Sequence, residues 1–139
     1  MRRTLLMGLA GLWLTACGGA EKKLEDPDGH RHQAKPLPLN KVITDSLTWD
    51  VDRSDWKIFF VEVQGLVTVT THFDTPGGNC ELYLRDKYGA QMAREVQSNN
   101  QYVQLVRRVV EPTRLFVWVN SSSKKCSTMY SIEAKVDPD

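Results

Sequence analysis

Two stretches of the chain alternate between apolar and polar residues with a period of two. In residues 67–73, valines, a threonine and a phenylalanine occupy the odd positions, and threonines and a histidine occupy the even ones. Residues 129–136 alternate in the same way, with a tyrosine, an isoleucine, an alanine and a valine at the even positions. Successive side chains of a β-strand point to opposite faces of the sheet, so both stretches are predicted strands with one buried and one solvated face.

Short runs rich in β-branched and aromatic residues follow one another from Ile43 to the C-terminus, separated by turns that carry Gly, Pro, Asn and Ser. Eight strands are predicted, at residues 46–50, 56–63, 66–73, 80–86, 91–97, 102–109, 114–120 and 127–136. Short strands at this spacing are typical of an antiparallel β-sandwich or barrel, so residues 43–139 are predicted to form one all-β domain. The second strand is apolar on both sides, which predicts a central strand without fixing which residues face the core.

The N-terminus differs from the rest of the chain and has the three parts of a secretory signal peptide. Arg2 and Arg3 give the charged start, residues 5–14 form the apolar run, and small residues follow it. The apolar run is well short of the roughly 20 residues that a membrane-spanning helix needs. Residues 1–16 are therefore predicted to be a signal peptide rather than a membrane anchor.

The sequence Leu-Thr-Ala-Cys at residues 14–17 resembles the lipobox of bacterial lipoproteins. The resemblance implies cleavage before Cys17 and attachment of palmitate-type acyl chains to that cysteine, and two or more chains anchor a protein stably to a membrane. Gly18 and Gly19 follow, where enterobacterial lipoproteins retained in the inner membrane tend to have Asp. By this resemblance we expect a lipid-anchored protein of the outer membrane, facing the periplasm or the cell surface.

Residues 17–42 are polar, contain several prolines and show no apolar period of 2 or 3.6. A segment of this composition buries too little apolar surface to offset chain entropy, so a flexible, disordered tether is predicted. His30 and His32 lie in it close to Asp28 and raise the alternative of a metal site. A flexible site without supporting hydrogen bonds binds weakly, and solvated imidazoles are the simpler interpretation.

The remaining two cysteines, Cys80 and Cys126, make an even pair in an exported chain, which favours a disulfide. Each cysteine follows a strand connection at the same end of the predicted sandwich. Each also has the parity of inward-facing neighbours in its strand. The alternatives, two free thiols or a zinc pair, lack the Cys-x-x-Cys spacing or the nearby histidine that zinc requires.

The charge and the polar residues exclude several function classes. A formal net charge of +1 gives no sign of the clustered basic excess that nucleic-acid binding needs. His72 is the one histidine after residue 42, it is predicted to face outward, and no Gly-x-Ser-x-Gly turn is present. A non-catalytic protein is therefore expected.

Three acidic residues precede the second predicted strand. Asp50, Asp52 and Asp55 offer carboxylate oxygens to Ca²⁺ but lack the glycine and closing glutamate of an EF-hand loop. Solvated turn residues are the alternative interpretation. No other cofactor is expected.

Five stretches together resemble one protein family: residues 55–63, 65–69, 81–89, 114–119 and 130–134. They read as an Asp-aromatic strand, a Gly turn with a β-branched strand, a Leu-Tyr-Leu strand with an Asp-x-x-Gly turn, an aromatic-rich strand and a closing Tyr-Ser-Ile strand. This order is similar to the bacterial pre-peptidase C-terminal domain over about residues 45–136. The resemblance implies a jelly-roll-like β-sandwich of the kind appended to secreted proteases, with relatives that bind collagen or other polymers. Asn79-Cys80-Glu81 stands where family members often have acidic residues, which argues against carrying over a calcium site.

Two functions are consistent with these features. The first is a binding or accessory module that contacts an envelope protein or polysaccharide, with Tyr83 and Tyr88 as the expected contacts. The second is a structural subunit or assembly factor of an envelope machine, such as a secretion or motility apparatus. Both functions place the protein at a membrane through its lipid.

Overall fold

The computed structural model describes residues 26–139. The predicted signal peptide and the predicted lipidation site, Cys17, lie outside this part of the chain. Between residues 26 and 139, no helix is long and apolar enough to cross a membrane.

The described chain forms nine strands and one short 3₁₀ turn at Arg31–Gln33. The strands are β1 (Lys35–Pro36), β2 (Ile43–Leu47), β3 (Ser54–Val61), β4 (Gly65–Phe73), β5 (Glu81–Arg85), β6 (Gln91–Val96), β7 (Tyr102–Val109), β8 (Thr113–Asn120) and β9 (Thr128–Pro138). All eight predicted strands are present. The first of them differs most in its bounds, because residues 48–52 form a turn in which Asp50 has a φ of 77°.

Two sheets pack face to face. One has five strands in the order β1-β3-β8-β5-β6, and the other has four in the order β2-β9-β4-β7. All neighbours are antiparallel except β1 and β3. The predicted antiparallel β-sandwich is confirmed.

The core lies between the two sheets and follows the predicted alternation. On β4, Val67, Val69, Thr71 and Phe73 are all buried. On β3 the inward positions also include two charged residues, Asp55 and Lys57, which alternate with the apolar Phe59 and Val61. Two charged side chains in a core need partners, and these partners come from elsewhere in the chain.

The prediction of a flexible tether is wrong for residues 26–42, which pack on the sandwich. Leu37 is 2 % exposed within the core, and its N–H donates to the Ile58 carbonyl oxygen at 2.8 Å. Farther along, the Asn40 N–H donates to the Ala134 carbonyl oxygen at 2.9 Å. Single leucines among prolines carry no periodic signal, yet each can fill one hollow at the edge of a preformed core.

The predicted disulfide is present. Cys80 and Cys126 are fully buried, and their Cα atoms are 5.2 Å apart, within the range that a bridge allows. The bridge joins the start of β5 in one sheet to the approach to β9 in the other. It therefore links the two sheets covalently.

Candidate functional site

Four carboxylates converge at the end of the sandwich where β3 begins. Asp26, Asp28, Asp52 and Asp55 each offer an oxygen, and these oxygens all lie within 4.8 Å of one another. Two of the three predicted calcium ligands, Asp52 and Asp55, belong to this cluster. The third, Asp50, does not, because the turn carries it to an exposed position.

Backbone geometry explains why the four carboxylates meet. Asp55 is at an inward position of β3, and Asp52 lies three residues earlier in the preceding turn. The Trp56 N–H donates to the Asp28 carbonyl oxygen at 2.9 Å, which fixes the N-terminal segment against β3. A Cβ at Gly29 would come within 2.7 Å of the Asp26 carboxylate, so the glycine allows that close approach.

Two lysines balance part of the negative charge. The buried Lys57 Nζ donates to Asp28 Oδ2 at 3.1 Å and also to Asp45 Oδ2. Lys35 Nζ lies 3.2 Å from the same Asp28 oxygen. Burial works to lower the pKa of Lys57, but the hydrogen bond to Asp45 and the charges of Asp55 and Asp45 raise it on balance. The lysine is therefore charged.

Burial disfavours the ionised form of two carboxylates in the cluster, Asp55 and Asp52. Burial raises the pKa of Asp55 to about 8, although the Tyr130 hydroxyl donates to it and Lys57 lies nearby. Burial, followed by the negative charges of Asp26 and Asp28, raises the pKa of Asp52 to about 6. Without another positive charge at the site, ionising these groups is costly.

Three buried oxygens at the cluster lack a hydrogen-bond partner among the described residues. They are Oδ1 of Asp28, Oδ1 of Asp52 and Oδ1 of Asp55. Buried polar atoms are normally paired, so three unpaired carboxylate oxygens in one place fit a ligand that accepts oxygen lone pairs. Carboxylate oxygens are the donors that Ca²⁺ prefers. The three carboxylates therefore fit a hard divalent cation. Asp26 adds a fourth carboxylate to the site.

A second feature is a row of aromatic side chains on the outer face of the five-stranded sheet. The strand register places Trp56, Trp118, Tyr83 and Arg94 side by side across β3, β8, β5 and β6. The Trp56 and Trp118 ring centroids are 5.3 Å apart, and those of Trp118 and Tyr83 are 4.5 Å apart, both pairs stacked. We call these three rings the aromatic row.

Two arginines lie over the aromatic row. The Arg85 guanidinium is 4.9 Å from the Trp118 ring centroid, and the Arg94 guanidinium is 5.5 Å from that of Tyr83. Cation–π contacts of this kind hold the guanidinium groups in fixed positions. The outer face thus presents two partly exposed tryptophans together with the Arg85 guanidinium, whereas the Arg94 guanidinium is paired with Glu81 at 2.8 Å.

The two predicted contact tyrosines have different positions. Tyr88 is 76 % exposed in the β5–β6 turn, with Lys87 Nζ 5.2 Å from its ring centroid. Tyr83 is only 9 % exposed, and its hydroxyl donates to Glu81 and accepts from Arg94. Tyr83 is therefore the buried end of the row rather than an open contact, because Trp118 and Arg94 cover it.

Sequence reasoning missed Trp56 and Trp118. The signal was the parity of β3 and β8: Asp55 and Lys57 point inward, so the tryptophans at positions 56 and 118 point outward. Both faces of β3 carry apolar residues, so its sequence alone does not show which residues face the core.

The histidines belong to neither feature. His72 lies on the outer face of β4, with its ring 4.6 Å from Tyr102 and its Nδ1 3.8 Å from Asp74. The rings of His30 and His32 stack on each other at 5.6 Å, and neither ring is part of the carboxylate cluster.

Comparisons with known proteins give fold information. No family model matches the chain, and no curated protein matches it. The structure is similar to the pre-peptidase C-terminal domain of a collagenase from Bacillus anthracis, with 18 % identity and a TM-score of 0.63 over 73 % of this chain and 94 % of that one. This likeness shows that the two proteins share a fold, which confirms the predicted resemblance at that level.

Two carbohydrate-binding modules are more distant. One, from a Cellvibrio mixtus lichenase in complex with cellotriose, has 10 % identity and a TM-score of 0.43 over 73 % of this chain and 91 % of that one. The other, in complex with calcium and xylotriose, has 10 % identity and a TM-score of 0.35 over 70 % and 92 %. Similarities this weak say nothing about a site.

Proposed function

We propose that this protein is a non-catalytic binding module of the bacterial envelope, anchored to the outer membrane by a lipid on Cys17. Its ligand is an envelope protein or polysaccharide. The observation that supports binding is the aromatic row with its two arginines on an outward-facing sheet surface.

The composition of this surface favours recognition over simple sheet stabilisation. An outer sheet face is commonly polar, because one face packs on the core and the other meets water. Here the outer face carries Trp56, Trp118 and Phe116, together with Arg85 and Arg94. Trp, Tyr and Arg dominate the binding energy of protein interfaces, because they combine large apolar area with polar contacts.

We also propose that the carboxylate cluster binds Ca²⁺. When all five are ionised, the carboxylates of the cluster and of Asp45 face two ammonium groups, Lys35 and Lys57, so one divalent cation would offset most of the excess negative charge. Bound there, the ion would join the N-terminal segment, through Asp26 and Asp28, to the sandwich, through Asp52 and Asp55.

A second candidate function is a structural subunit or assembly factor of an envelope machine. It is favoured by an exposed apolar patch at the end of β3 opposite the carboxylate cluster. Phe60 is 60 % exposed there and shares a groove with Pro112, and Val63 and Val110 are also exposed. Exposed apolar groups that lie together often mark contacts with a protein partner.

One experiment separates these functions. The lipoprotein is purified in detergent from its native cells, and retained proteins and envelope polysaccharides are identified for the wild type, Trp118→Ala and Tyr102→Ala. Tyr102 is an exposed aromatic residue on the other sheet and serves as the matched control. We expect Trp118→Ala to weaken ligand retention by about 30-fold, as for a 2 kcal/mol hot spot, and Tyr102→Ala to leave it unchanged.

Circular dichroism of each variant establishes that the fold is intact. Equal retention by the two variants would contradict the proposed binding face. Retention of defined proteins that depends on Phe60 and not on Trp118 would favour the assembly factor.

A further inference from the structure

A basic pocket adjoins the aromatic row on the same outer face. It is a hollow of about 300 Å³ lined by Arg31, His32, Lys87 and Arg114, with Phe116 and Ile58 among its apolar walls. The basic residues come from three separate parts of the chain: the 3₁₀ turn, the β5–β6 turn and the start of β8. No acidic residue of the described chain lines this hollow.

Within residues 26–139, the charges in the basic pocket are not neutralised by ion pairs. Between residues 26 and 139, no salt bridge includes Arg31, Lys87 or Arg114. Glu62 lines an adjoining groove with Lys87 and Arg114 but pairs with neither. In a chain with a formal net charge of +1, this concentration of like charge attracts anions locally.

One arginine of the pocket, Arg31, makes two contacts with the sandwich. The Arg31 guanidinium lies 5.8 Å from the Phe116 ring centroid. It also lies against Gly89, where a Cβ would come within 2.0 Å of Arg31 Nη1. Gly89 has a φ of 87°, which favours glycine at this turn for a second reason. The planar fork of an arginine guanidinium is preorganised to bind a carboxylate or phosphate group through two parallel hydrogen bonds.

The pocket is continuous with the aromatic row. Phe116 is two residues from Trp118 on β8 and faces the same way, and its ring meets that of Trp56 edge to face at 6.3 Å. Two residues along a strand span about 7 Å, so one extended ligand can reach both features.

We propose that the basic pocket binds the carboxylate or phosphate groups of an acidic polysaccharide whose chain lies along the aromatic row. This inference rests on the proposed binding function and specifies the class of ligand. An extended polymer fits a site that continues across several strands, whereas a single lipid headgroup would use only the hollow.

The test uses polygalacturonate and, as an uncharged match with the same backbone, its methyl ester. Binding to both is measured for the detergent-solubilised lipoprotein, for Lys87→Gln/Arg114→Gln, and for Lys124→Gln/Lys125→Gln. The last pair removes the same charge from an exposed loop after β8, at the other end of that strand. We expect the wild type to prefer polygalacturonate, and the pocket variant to bind it about tenfold more weakly, as for loss of two charge-assisted contacts. The loop variant should bind like the wild type.

Equal weakening by the pocket and loop variants would overturn the proposal, because net charge alone would then explain binding. Equal binding of both polymers, with the pocket variant unchanged, would overturn it and leave the proposed binding module standing. If neither polymer binds while Trp118-dependent retention of an envelope protein persists, the proposal of an acidic polysaccharide ligand is wrong and the proposed binding face stands. A Cys17→Ser form that binds phosphatidylglycerol vesicles through Lys87 and Arg114, and no polymer, would assign the pocket to membrane lipid instead.

Discussion

Asp55 controls how the stability of the folded chain depends on pH. Burial raises its pKa to about 8 from the usual 3.8, so between these values the folded state binds more protons than the unfolded one. Stability from this group is therefore complete below about pH 4 and is lost as the pH rises toward 8. Asp52, with a pKa raised to about 6, acts in the same direction.

We predict that, in the presence of a chelator, the free energy of unfolding falls by on the order of a few kcal/mol from pH 5 to pH 8. Urea unfolding at four pH values measures it. Asp55→Asn, which cannot ionise, should show a flatter profile than the wild type. The lowered pKa values of Asp45 and Glu81 act in the opposite sense, but below about pH 4. A wild-type profile that stays level between pH 5 and 8 would contradict the assigned burial of Asp55.

Individual site residues were predictable to different degrees. Asp52 and Asp55 follow from an acidic turn before a strand, which is a local signal. Asp26 and Asp28 join them only because the N-terminal segment packs on the sandwich, and no local sequence pattern predicts that packing. The exposure of Tyr83 was misjudged because its burial depends on neighbours from β8 and β6.

At the scale of elements, the carboxylate cluster is one of several contacts that attach the N-terminal segment, beside the buried Leu37 and the pairing of β1 with β3. If Ca²⁺ binds there, it stabilises the folded state by about 2.7 kcal/mol at a hundred times its Kd, which corresponds to a rise of about 10 °C in Tm for a domain of this size. We predict this rise for the wild type in differential scanning calorimetry and its loss in Asp28→Asn. Asp50→Asn is the matched control: it lies outside the cluster, and its φ of 77° suits asparagine. Identical Tm values with Ca²⁺ and with chelator would exclude the calcium proposal.

The disulfide connects the two sheets over a separation of 46 residues. In the chain-entropy model, a loop of this length stabilises the folded state by about 4 kcal/mol. We therefore expect reduction, or the Cys80→Ser/Cys126→Ser variant, to lower Tm by more than about 10 °C. Thermal unfolding with and without reductant measures this, and a non-reducing mass two hydrogens below the reduced mass identifies the bridge. Two free thiols in protein from an oxidising compartment would be the contrary result.

Strands were easier to predict than the attached segment, for a physical reason. A strand in a sandwich has one buried and one solvated face, so the alternation of its own residues shows which side chains are buried, as in β4. β1 has only Lys35 and Pro36 and is an edge addition to β3, so its pairing depends on the surface it meets. The inward orientation of Asp55 and Lys57 on β3 was likewise not predictable from the sequence, because their partners lie in other elements.

At the scale of the whole molecule, the proposed lipid on Cys17 would determine where the sandwich acts. Cys17→Ser removes the acceptor of the acyl chains, and the resemblance to the lipobox predicts that the protein then leaves the membrane fraction. We expect the folded part to be unchanged, with the same Tm, because the sandwich described here is formed by residues 26–139. Fractionation and metabolic labelling with a palmitate analogue measure the effect. Wild-type protein that takes no label and remains in the soluble fraction would contradict the anchor.

If Cys17 carries the proposed lipid, docking of the N-terminal segment would also limit how far the sandwich can reach from the membrane. A free segment of some 25 residues would reach on the order of 80 Å from the lipid. Because the sandwich holds the chain from Asp26 onward, only nine steps separate it from Cys17, and they span at most about 30 Å in any conformation. Effective concentration at a nearby target falls steeply as a linker lengthens. Release of the segment would therefore exchange a high local concentration near the membrane for access to more distant targets, so the contacts that hold the segment, the carboxylate cluster among them, would set how far from the membrane the sandwich can bind.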